Sequence, residues 1–215
     1  MISRRRWSAC AGWFVILIAM AAWVTPGAAA EWQAGGLSFS DELGGFRLLS
    51  VSGLGTVENP IVIVEEIFGD GPATVVIRGA AKETDPEGTM ISRGSVQLAM
   101  IKVVLNSTQR RWAGFDLELQ EKQGLPSSYG DGLSFDQVRR FNQAFRSDRF
   151  LTNKAIDEPY DRIRFMDGYV QPGQSVRFDF FITDPTPVNE FFLLQAGRIV
   201  IAESPVGRVL IAEGP

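Results

Sequence analysis

The stretch Val176-Arg177-Phe178-Asp179-Phe180-Phe181-Ile182-Thr183 constrains what this chain can fold into more than any other. It alternates with period two, placing Val176, Phe178, Phe180 and Ile182 on one face and Arg177, Asp179 and Thr183 on the other. Pro172-Gly173 ahead of it supplies a tight turn, because proline presets its own φ and glycine accepts the positive φ that follows. Asp184-Pro185-Thr186-Pro187 ends the strand, since proline brings no N–H to a ladder. A strand with one face this apolar needs a second layer to cover it, and the rest of the chain offers mostly further strands.

Residues 31–45 carry Gly35-Gly36 and Gly44-Gly45 around Leu37-Ser38-Phe39-Ser40, which predicts an edge strand or a loose lead-in. Phe46 to Ser52 predicts a strand closed by Gly53-Leu54-Gly55. Ile61-Val62-Ile63-Val64 is β-branched throughout and fits a strand buried on both faces. Gly69-Asp70-Gly71-Pro72 is a strong turn, so Thr74-Val75-Val76-Ile77 is expected to return as the second arm of a hairpin. Lys82 to Gly94 is polar and predicts a loop between two groups of strands. Ser95 to Asn106 predicts a long strand with Ile101, Val103 and Leu105 set against Lys102 and Val104. After the turn Asn106-Ser107-Thr108-Gln109, Trp112 to Gln120 sets Phe115, Leu117 and Leu119 against a wet face of Asp116, Glu118 and Gln120.

One helical insertion is expected at about 134–146. Ser134 with Gln137 forms a capping-box pattern, and Phe135, Val138, Phe141 and Phe145 fall on one stripe at the helical period. Strands are expected again at Arg162 to Met166 and, briefly, at Phe191 to Leu194. The tail, 196–215, repeats one pattern in Arg198–Glu203 and Arg208–Glu213, which predicts a terminal hairpin, a tail-docking strand or partial order. Many short strands with turn signals between them and one helix predict an all-β domain over 31–215, a β-sandwich with a helical insertion.

The first 30 residues look like an export signal. Arg4-Arg5-Arg6 is a basic leader, Ala9 to Val24 is almost wholly apolar, and Ala28-Ala29-Ala30 offers small residues ahead of a cut before Glu31. The alternative is an uncleaved inner-membrane anchor, for which the apolar run is short. Ser3-Arg4-Arg5-Arg6-Trp7 also permits a twin-arginine route. Cleavage predicts a periplasmic or secreted protein with no stable membrane span. It leaves 18 basic against 25 acidic residues, a formal −7 in place of −4, which argues against nucleic acid as a partner.

The pair Lys102–Ser107 and Trp112–Leu119, followed by Pro172-Gly173-Gln174-Ser175-Val176-Arg177-Phe178, resembles immunoglobulin-like domains of exported bacterial proteins. The likeness covers about the last half of the chain. The whole resembles short exported bacterial proteins of unassigned activity, and neither resemblance implies a substrate or a catalytic residue.

The single cysteine, Cys10, lies in the leader, and the chain has no histidine. A mature chain without either has no disulfide, no histidine-based triad, no thiol nucleophile and no zinc site of the usual kind. Gly53-Leu54-Gly55 lacks the third glycine of a dinucleotide site and is a turn. Carboxylates remain: Asp116 and Glu118 share a strand face, and with Asp179 they are the candidates for a hydrolase of extracellular polymer. Asp70, Asp131, Asp136, Asp148 and Asp167 lie in or beside loops and are the candidates for calcium, densest at Gly130–Asp136. No cofactor is expected. The favoured expectation is a non-catalytic exported protein with a binding or structural role in the cell envelope. Its candidate binding surface is the locally basic segment of Arg139, Arg140, Arg146 and Arg149 with Tyr129, suited to an envelope protein or an acidic glycan.

Overall fold

A computed structural model describes residues 31–80, 82–84, 90–92, 94–128, 130–135, 145–156, 161–201 and 210–211. The expected leader, Tyr129 and the middle of the expected helix lie outside these residues. In chain order the strands are β1 (Glu31–Ala34), β2 (Leu37–Ser40), β3 (Phe46–Ser52), β4 (Ile61–Ile67) and β5 (Ala73–Arg78). There follow β6 (Lys82–Thr84), β7 (Met90–Ser92), β8 (Val96–Asn106), β9 (Trp112–Gln120) and β10 (Arg146–Ser147). The last five are β11 (Phe150–Ile156), β12 (Arg162–Gly168), β13 (Ser175–Asp184), β14 (Glu190–Ile201) and β15 (Leu210–Ile211).

These form two main sheets. The larger runs β1-β2-β5-β14-β9-β12-β11, with β15 paired to the end of β14. The smaller runs β10-β13-β8-β4-β3, and β6 and β7 make a separate two-stranded ribbon. One apolar core joins the inner faces: Phe115, Leu117, Ile163, Phe165 and Leu193 from the larger sheet meet Ile61, Ile63, Val104, Val176 and Phe178 from the smaller. Phe178 is its hub. Its ring lies 4.7 Å from Phe115, 4.7 Å from Phe165 and 6.2 Å from Phe150, so aromatic contacts bridge the layers. The period-two alternation of Val176–Thr183 is therefore realised, with Val176, Phe178, Phe180 and Ile182 all buried. The preceding turn carries Gly173 at φ 77°, as expected.

The expected pairing across Gly69–Pro72 fails because neighbouring strands in the sequence join different sheets. β4 and β5 do not form a hairpin. β4 pairs with β3 and, in parallel, with β8, whereas β5 pairs with β2 and β14, so Gly69–Pro72 carries the chain from one sheet to the other. The turn after β8 does the same, because β9 lies in the larger sheet. β4 is also not buried on both faces: Ile61, Ile63, Glu65 and Ile67 are buried, while Val62, Val64 and Glu66 are half-buried on the outer side. The short strand expected at Phe191–Leu194 is the middle of the twelve-residue β14, which spans the larger sheet between β5 and β9. Gly197 in it leaves room for the Trp112 indole, with which a Cβ would collide. The tail forms the antiparallel pair β14–β15, with Val200 opposite Ile211.

The helix expected over 134–146 does not start or finish where its pattern places it. Ser134 makes an antiparallel bridge to Thr183, donating its N–H to the Thr183 carbonyl at 2.9 Å and accepting the return bond at 2.8 Å. Its hydroxyl donates to Asp161 Oδ1 at 2.8 Å. Arg146-Ser147 is strand, opposite Asp179 and Phe178. The backbone groups of Thr183 on β13 are buried and demand partners, and meeting them with Ser134 outweighs a local cap. Residues 136–144 lie outside the described residues. Among the described residues there is no helix, and so none long and apolar enough to cross a membrane.

Candidate functional site

The carboxylates singled out for hydrolysis are each held in an ion pair with an arginine. On β9, Phe115, Leu117 and Leu119 point into the core, so Asp116, Glu118 and Gln120 share the outer face of the larger sheet. That face is not wet. All three are buried, because β12 brings Arg164 opposite Asp116 and Arg162 opposite Glu118. Arg164 holds Asp116 by two parallel bonds, Nε to Oδ1 and Nη2 to Oδ2, each 3.0 Å. Arg162 donates from Nε to Glu118 Oε2 at 2.9 Å and from Nη2 to the same oxygen. Gln120 Nε2 donates to Glu118 Oε1 at 2.8 Å. Asp179 lies on the outward face of the other sheet, paired with Arg177 at 2.8 Å. Both β-sheets and the core between them separate it from Asp116 and Glu118, so the three do not converge on one substrate.

The calcium candidates are likewise engaged elsewhere. Asp131 accepts the N–H groups of Ser128 at 3.1 Å and Leu133 at 3.2 Å, an Asx-type turn lock. Asp70 faces Arg110 at 3.7 Å, Asp148 accepts the Arg177 N–H at 2.8 Å, and Asp167 accepts the Thr152 hydroxyl at 2.5 Å. Asp136 lies outside the described residues. Among the described residues no three metal-ligating side chains gather.

Of the basic segment, Tyr129, Arg139 and Arg140 lie outside the described residues. Arg146 and Arg149 are exposed at the β10 edge of the smaller sheet, with the exposed Asp148 between them. Arg146 stands opposite Asp179. The arginines therefore border a larger feature that the sequence reading missed. The outer face of the smaller sheet is apolar: Val62 lies beside Ile101, Val64 beside Val103, and Glu66 beside Leu105. These side chains are half-buried, and Leu49 on the neighbouring β3, at the β-bulge against β4, is 41% exposed. Ion pairs rim the patch, Arg47 with Glu66 on one side and Arg177 with Asp179 on the other. The β-branched run at Ile61–Val64 was the available signal; covering both faces of it required a layer that the described residues do not place there.

A second feature lies inside. The pattern Ile101, Val103, Leu105 against Lys102, Val104 is inverted: Met100, Lys102, Val104 and Asn106 face the core. Lys102 and Glu65 are both fully buried, and Lys102 Nζ donates to Glu65 Oε2 at 2.6 Å. From the opposite sheet Gln195, also fully buried, turns its amide toward the Glu65 carboxyl without completing a hydrogen bond. Burial pushes the Glu65 carboxyl up, against the pull of Lys102 and Gln195, and pushes the Lys102 amine down, against the pull of Glu65. The signal in the sequence was Leu98, Met100, Lys102, Val104, an apolar stripe with one polar member.

Comparison with protein-family models, with curated proteins and with solved structures found no match to this chain.

Proposed function

We propose that this chain is an exported, non-catalytic protein whose immunoglobulin-like β-sandwich binds or organises a partner protein in the bacterial cell envelope. The observation that carries this reading is the outer face of the smaller sheet. Val62, Val64, Ile101, Val103 and Leu105 make a contiguous half-buried apolar centre, and Arg47, Glu66, Arg177, Asp179 and Arg146 surround it. Apolar area inside a charged rim is the anatomy of a protein interface, and a sheet face that the described residues leave without a covering layer is the kind that marks an interaction site. Export rests on Arg4-Arg5-Arg6, the apolar run Ala9–Val24 and Ala28-Ala29-Ala30. The immunoglobulin-like assignment is supported by two packed sheets whose successive strands change sheet after β4 and after β8. The parallel pair β4–β8 is a departure from the all-antiparallel scheme of that fold. The engagement of Asp116 and Glu118 by arginines favours binding over hydrolysis.

The test is co-purification of tagged full-length protein from its own envelope, compared with Val103→Lys. Val103 is on the outward face, so a lysine there leaves the core intact and puts a charge at the centre of the patch. A partner retained by the wild type in stoichiometric amount and lost by a folded Val103→Lys is the expected result. The same partner held equally by both, or none held by the wild type, would sink the assignment.

A further inference from the structure

Lys102 and Glu65 are chemically out of place in the core. Glu65 on β4 and Lys102 on β8 are diagonal neighbours on the inner face of a parallel pair, since Lys102 lies opposite Ile63 and Glu65 two residues further along. Two charges held in a low-dielectric interior are costly unless every lone pair and proton is satisfied. Here they are not: Glu65 Oε1 and both polar atoms of the Gln195 amide have no hydrogen-bond partner. The large buried rings of Phe115, Phe165 and Phe178 lie in the same core, and Phe178 is the β13 neighbour of Lys102. Burial favours the neutral forms of both groups, and a neutral amine beside a neutral carboxyl is a nucleophile beside an acylating group. With Nζ 2.6 Å from Oε2, the carboxyl carbon lies within roughly the 3–3.5 Å reach of a near-attack geometry.

We propose that Lys102 and Glu65 condense into an intramolecular amide bond that joins β4 to β8 across the centre of the sandwich. The Nζ lone pair forms the new bond to Glu65 Cδ. Negative charge develops on Oε1, which has no hydrogen-bond partner, and the buried Gln195 amide, which interacts with the Glu65 carboxyl, is a polar group available to stabilise it. Oε2 leaves with its own proton and one proton from Nζ as a single water. The balance is complete with no oxidant, metal or second substrate. The product replaces two buried ionisable groups by one amide that cannot ionise, and it ties together residues 37 apart in sequence, which restricts the unfolded chain as a disulfide would in a protein without one. The inference is independent of the partner-binding assignment.

The test is the intact mass of full-length protein purified from its host and denatured, compared with the mass dictated by its own N-terminus. The expected value is short by one water, and fragmentation of a tryptic digest should yield a branched peptide joining the segment with Glu65 to the segment with Lys102. Lys102→Met should restore the full mass, and this can be read even from unfolded protein. A wild-type chain of full mass overturns the proposal. So does a deficit that persists in Lys102→Met, or a loss of one ammonia with the branch at Gln195.

Discussion

Replacing Phe178 by alanine is the sharpest probe of the fold. The side chain is fully buried and stands between three other rings, two at 4.7 Å and one at 6.2 Å. Truncating a buried phenylalanine costs about 3–5 kcal/mol, and a site walled by strands of both sheets can collapse little, which places this one toward the upper end. For a chain of this size each kcal/mol moves the melting temperature by about 2–4 °C, so a loss of ~4–5 kcal/mol should lower it by ~8–20 °C. Arg177→Ala on the opposite face is the control. Its ion pair to Asp179 is 49% and 38% exposed, so its loss should cost well under about 1 kcal/mol. Urea unfolding of both variants, with midpoints compared at unchanged slope, measures the difference. If Arg177→Ala is as damaging as Phe178→Ala, the strand is in the wrong register and the assignment of inner and outer faces fails with it.

The ladder between β9 and β12 should behave as a coupled unit. Glu118→Gln is expected to cost about 1.5–3 kcal/mol, because it removes the charge from a buried acceptor held by Arg162. In an Arg162→Ala background the same change should cost clearly less, and additive losses in the denaturation cycle would show the pair to be uncoupled. Asp184 gives a pH signature. Burial, helped by the negative charges of Glu121 and Asp131, raises its carboxyl above the ordinary 3.8 against the Thr186 N–H, which lowers it. The folded chain then binds more protons than the unfolded one between 3.8 and the raised value, so this group's contribution to stability falls as pH rises through that window. Asp184→Asn should therefore gain on the wild type from about pH 4 upward and level off above the folded value; a gap that stays flat or reverses across the series contradicts this.

Period two is a local property, so the sequence by itself determined the strands at Phe46–Ser52, Trp112–Gln120 and Ser175–Asp184 and which side of β13 is core. The Pro172-Gly173 turn was equally legible, because proline and glycine act on their own φ. What lies beside a strand is not local. The sequence put Ile61–Val64 and Thr74–Ile77 in one hairpin because a strong turn joins them, yet each has its inner face satisfied by a different sheet. A serine three residues before a glutamine reads as a helix cap, but the backbone of Thr183 takes Ser134 into a ladder instead. Asp116 and Glu118 read as solvated acids, because nothing in their own strand announces that Arg162 and Arg164 arrive from β12 to bury them. Lys102 read as an outward residue for the same reason: its charge is plain in the sequence, but its place in the core depends on a carboxylate 37 residues away and a parallel pairing that no turn encodes. Side-chain chemistry is carried residue by residue, whereas burial is a property of what the rest of the chain brings alongside, and only the packing of the two sheets decides it.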